Sequence, residues 1–137
     1  VKLNINFSVD TGSNYNVNKT TTIFRAFHNE NGGSQNLNYE TGSDLAQSTS
    51  AANLSLEIGN GSDESCSGTF TIFEPSSSVF VKHFIANFNT IQYDNITMNH
   101  IASGYGNTTS AIDAIQFAMN SGNIDSGTIK LYGIKDS

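Results

Sequence analysis

Apolar and polar residues alternate with a period of two along most of this 137-residue chain, a repeat that builds strands and not amphipathic helices. The stretch that organises the reading is Ser110–Lys135, SAIDAIQFAMNSGNIDSGTIKLYGIK. Ile112, Ala114, Gln116 and Ala118 fall on one face, and Asp113, Ile115, Phe117 and Met119 on the other. After the turn residues of Ser121–Gly127, Thr128, Lys130, Tyr132 and Ile134 alternate with Ile129, Leu131 and Gly133. Neither strand has a clean polar face. A hairpin with something to touch on both sides is expected at the middle of a sheet.

The rest of the chain repeats the pattern. Leu3, Ile5, Phe7 and Val9 point one way, and Asn4, Asn6 and Ser8 the other. Thr20–His28 predicts a second strand, followed by a polar stretch over 29–50 that either is interrupted by a short strand near Asn36–Tyr39 or forms the functional surface. Ala52–Ile58 and Gly68–Glu74 predict two more strands, the latter closed by an exposed corner at Pro75. Val79–Ile91 is the longest pattern and predicts a bulge near Asn87; Ile96–Tyr105 is weaker. Phe80, Phe84 and Phe88 share one face and read as core. The expected core comprises Leu3, Ile5, Phe7, Phe27, Phe70, Ile72, Phe84, Ile115, Phe117 and Leu131. Seven or eight strands without a helix indicate an all-β antiparallel β-sandwich. The long loop and long strand favour a jelly-roll over an immunoglobulin-like sandwich. The whole chain reads as one such domain, the C-terminal part of something longer.

Composition narrows function. Six basic residues against twelve acidic ones give a net charge of -6, which disfavours binding to nucleic-acid phosphates. No apolar run is long enough to insert in a membrane. One cysteine, Cys66, makes no internal bridge. Charged residues are only 13% of the chain, so Asn, Ser, Thr and Gly must cover its surface, as in extracellular and virion β-proteins. Six Asn-x-Ser/Thr triplets occur, two of them (Asn6 and Asn53) within strand patterns that disfavour glycosylation.

Few residues point to chemistry. His28, His83 and His100 lie far apart and read as structural. No nucleophile elbow or inward acid pair is present, so the chain is not expected to be an enzyme or to need a cofactor. Asp63 and Glu64, in a Gly-rich turn, are the candidate ligands for a hard cation such as Ca²⁺, with a solvated turn the alternative. Tyr15, Tyr39, Tyr93 and Tyr105 fall in or beside polar loops, where an aromatic can stack on a sugar or anchor an interface, or fold its own loop over the core edge.

Several segments carry a resemblance: NVNKTTTIFRAF at 16–27, TGSDLAQST at 41–49, FEPSSSVFVKHF at 73–84, SGYGNTTSAIDAIQF at 103–117 and SGNIDSGTIKLYGIK at 121–135. From Asn16 onward the chain resembles a β-rich domain of virion structural proteins of marine T4-like tailed bacteriophages, cyanophage relatives in particular. The resemblance implies a non-catalytic role at the virion surface, as an appendage, fibre, tail component or capsid decoration. It implies other virion proteins as partners, a homo-oligomer with a trimer favoured, and a host glycan or receptor as a further partner. A secreted carbohydrate-binding module is the alternative. Clustered loop tyrosines would favour attachment; scattered tyrosines with an apolar patch would favour assembly.

Overall fold

Backbone pairing decides which of these strands are central. The computed structural model describes residues 1–134 and holds nine strands. They are β1 (Leu3–Ser8), β2 (Lys19–Asn29), β3 (Gln35–Tyr39), β4 (Leu45–Ser48), β5 (Ala52–Asn53), β6 (Cys66–Ile72), β7 (Lys82–Gln92), β8 (Ile96–Gly106) and β9 (Ala114–Met119). They form two antiparallel sheets, so the fold is all-β. The smaller has the order β5-β1-β9; the larger runs β3-β2-β8-β7-β6, with β4 also paired to β2.

The centre belongs to β8, the strand with the weaker sequence pattern. It pairs along all eleven residues with both β2 and β7. Its hydrogen bonds are shared with two long neighbours, so it needs fewer large apolar side chains than an edge-proximal strand. Small inward residues suit it. A Cβ on Gly104 would stand 2.4 Å from the Thr20 carbonyl oxygen, so β2 lies close only because glycine is there.

Inward side chains of the larger sheet form ladders across the strands. Ile23, Ala102, Ala86 and Phe70 make one, and Thr21, Gly104, Phe84 and Ile72 the next. Leu3, Ile5 and Phe7 of β1 come down on them, with Leu54, Leu56 and Ile58 from the segment after β5. The Phe7 ring stands edge-on to Phe84 at 5.6 Å and 6.3 Å from Phe70, which meets Phe117 of β9 at 6.2 Å. Leu3, Ile5, Phe7 and Phe84 are buried; Phe70, Ile72, Ile115 and Phe117 are partly buried against them. Phe27 is half-buried at the far end of β2, under the Arg25 guanidinium.

Five expectations need correction. The closing hairpin is absent from the centre: β9 is the outer strand of the smaller sheet, and residues 121–134 pair with no strand among the described residues. Leu131 is therefore 94% exposed and not core, since alternation buries a side chain only where a strand edge accepts the backbone. Lys135, the last residue of that expected strand pattern, lies outside the described residues. Phe80 is also exposed, because β7 begins two residues later, at Lys82. No bulge interrupts β7 near Asn87, where the register runs unbroken against both neighbours. Finally, Ala52–Ile58 pairs only through Ala52 and Asn53; beyond them Leu54, Ser55 and Leu56 are all buried, and alternation is lost. The polar stretch over 29–50 does contain strands, β3 at the expected place and β4 beyond it.

Candidate functional site

The densest group of ionisable side chains gathers at the inner end of β2. Alternation places Arg25 inward between Ile23 and Phe27, where its charge requires partners. Its Nε lies 2.8 Å from Glu40 Oε1, and its Nη1 donates to Glu57 Oε2 at 2.5 Å. Glu57 reaches this position from a left-handed backbone conformation, φ 55°, which costs a non-glycine residue about 1 kcal/mol. Across the ladder from Arg25 stands His100, with no exposed surface. Its Nε2 accepts the Leu56 N–H at 3.3 Å. Burial first, and then the Arg25 charge, hold its pKa down to about 4, against a smaller opposing pull from Glu57 and the Phe88 carbonyl. The imidazole is neutral. Two carboxylates, a guanidinium and a neutral imidazole could serve acid–base chemistry, yet here one guanidinium binds both carboxylates and His100 spends its acceptor on the backbone. The arrangement ties the segment after β5 to the larger sheet.

At the other end of the sheet two lysines are buried, on β2 and β7, with Gly106 of β8 between them. Lys19 Nζ donates to Asn6 Oδ1 at 2.5 Å and to the Val17 carbonyl at 2.7 Å, 5.9 Å from the centre of the Phe7 ring. Lys82 Nζ donates to the carbonyls of Ser77 and Phe80, at 2.7 and 2.6 Å. Neither forms an ion pair among the described residues. Desolvation lowers the Lys19 pKa to about 8. The unfolded chain thus binds more protons than the native one between about pH 8 and 10.5, and stability should rise with pH across that window. Lys19→Met is expected to raise stability at pH 7 by about 1–3 kcal/mol and to flatten this rise. Urea titrations at pH 7 and pH 10 test it; a variant less stable at both would mean that the two carbonyl-type acceptors outweigh the desolvation of the ammonium.

The four tyrosines are spread out. Tyr15 is half-buried over Gly12, its hydroxyl 3.1 Å from where a Cβ would stand. Tyr39 and Tyr105 are on the outer face of the larger sheet, four ladder positions apart. Tyr39 donates to Asp44 Oδ2 at 2.6 Å, which raises its pKa; Tyr105 accepts from Gln47 Nε2 at 3.2 Å. Tyr93 lies at the opposite end, in the β7–β8 turn, 67% exposed. Two open depressions, of about 310 and 260 Å³, lie near that end; Asn29, Glu30 and Asp94 line one, and Phe27, His28 and Asn99 the other. No tyrosine lines either.

The Glu64 carboxylate accepts the Gly61 N–H and closes its own turn, Asp63 faces solvent, and no group of three His, Cys, Asp or Glu forms among the described residues. Outward apolar groups do gather. Phe73, His83 and Tyr105 form one outer row beside Ile85, with Val79 and Phe80 exposed at the adjoining corner. Nothing in local alternation marks this patch, since Phe84 inward and Ile85 outward are both apolar and Val79 and Phe80 precede the strand.

No family model, curated protein or solved structure matches the chain.

Proposed function

We propose that this chain is a non-catalytic structural domain of a bacteriophage virion, a jelly-roll-like β-sandwich assembled with further copies and other virion proteins at the particle surface. The observation that carries the reading is the distribution of its aromatic and aliphatic surface. The tyrosines that would form a sugar platform are scattered over both ends, whereas Phe73, Val79, Phe80 and Ile85 expose apolar area together. A carbohydrate-binding module needs two or three aromatics aligned along one groove, and neither depression provides them. Assembly is therefore favoured over attachment. The sequence resemblance supports the virion setting, and two sheets facing one core support the sandwich.

Light scattering on the purified chain at two concentrations, with and without EDTA, tests the assembly. A discrete oligomer, a trimer foremost, that ignores both EDTA and dilution is the expected result. A monomer throughout would overturn the self-assembly part of the proposal.

A further inference from the structure

The C-terminal segment is a strand by sequence with no sheet to lie in. Ile129 and Leu131 alternate with Lys130 and Tyr132, yet 127–134 has no strand pairing, and among the described residues no backbone hydrogen bond ties 121–134 to the rest. Its apolar side chains stand in water: Leu131 and Ile134 are each 94% exposed. Leaving an apolar strand solvated is unfavourable both for its side chains and for the neighbouring sheet edge.

The same molecule carries an edge that fits it. Among the described residues β9 pairs on one side only, with β1. The Asn120 N–H goes to the Lys2 carbonyl, so alternation turns the N–H groups of Ile115, Phe117 and Met119 toward the open side. Edge strands are ordinarily blunted by charge, proline or a bulge. β9, AIQFAM, has none of these: no charged residue, no proline and an unbroken register. Its inward residues Ile115, Phe117 and Met119 remain only partly buried, as do Phe70 and Ile72 of β6. The eight residues of 127–134 are long enough to run along all six of β9.

We propose that residues 127–134 are donated to a second copy of this chain, where they add a fourth strand beside β9. Ile129 and Leu131 would then cover the half-open side of Phe117 and Phe70. The occupant is another copy because strand and acceptor edge belong to one sequence, the relation that underlies strand exchange between protomers. Reciprocal donation closes a dimer, and head-to-tail donation closes a ring. This deepens the assembly reading above and rests on its premise that copies associate.

The test uses the full chain and an Ile129→Asp/Leu131→Asp variant, whose substitutions fall on exposed positions and spare the folded core. Light scattering should show the wild-type oligomer reduced to monomer in the variant, with an unchanged far-UV spectrum. Hydrogen exchange at the amides of Ile115, Phe117 and Met119 should be at least tenfold slower in the wild type than in the variant. An oligomer that survives both aspartates, with these amides equally fast in both proteins, would overturn strand donation and leave assembly through another surface standing. A wild-type monomer with those amides protected would place the segment on its own β9, and would overturn exchange between copies.

Discussion

Replacing Phe84 with alanine is expected to destabilise the protein by about 3–5 kcal/mol, a large share of the stability of a domain of this size. Phe84 is 1% exposed, and its ring joins the two sheets, with Phe7 edge-on at 5.6 Å and Phe70 tilted at 5.6 Å. Truncation removes the ring and leaves a cavity whose walls come from β1, β6 and β7. Backbone pairing of β7 on both sides prevents those walls from collapsing inward. The neighbouring Ile85 points outward and is half exposed, so Ile85→Ala should cost less than about 1 kcal/mol. Urea denaturation of the two variants makes the comparison internal to one strand. Equal losses would mean that the outer face of β7 is packed as tightly as the inner one.

Acidification below neutrality should weaken the fold through His100. In the unfolded chain the imidazole titrates near its ordinary 6.5; in the native protein its pKa is held at about 4. Between these values the unfolded state binds the extra proton. The contribution of His100 to stability is therefore full above pH 6.5 and falls as pH drops toward 4, by on the order of 3 kcal/mol. The groups that set the native value are the burial itself and Arg25, with Glu57 and the Phe88 carbonyl acting the other way. His100→Gln keeps an acceptor for the Leu56 N–H and has no proton to gain. The variant should start less stable at pH 7 but lose less between pH 6.5 and 4. Parallel pH profiles for the two proteins would remove His100 as the cause.

Alternation made the strands legible, and with them the inward phase: Phe84, Ala86 and Phe88 lie on one face of β7 both in the pattern and in the fold. That phase also carried Lys82 inward, a position that a charged side chain accepts only because carbonyls of the preceding corner and the Thr108 loop surround its amine. Central position was not legible. It depends on which edges pair, and β8, with Gly104, Gly106 and Ala102 on its inner face, hides behind its small residues. The Arg25, Glu40, Glu57 and His100 group was invisible for a related reason. Its members come from β2, the end of β3, the segment after β5 and β8, and Glu57 joins through a backbone conformation that no alternation encodes. The four tyrosines were visible as residues, but their separation is a property of the two ends of a sheet.

The burial of Lys19 and Lys82 alters how other bodies meet this protein. The chain has six basic residues, and these two contribute no exposed surface while the twelve acidic groups include many that face solvent. An approaching partner thus encounters an exterior more one-sidedly negative than the formal charge of -6 implies. Two copies drawing together repel over the ~8 Å range set by physiological salt, and mobile cations ease the approach. Contact between copies is in this sense conditional on the ionic medium: brine shortens the reach of the repulsion, while dilute buffer extends it.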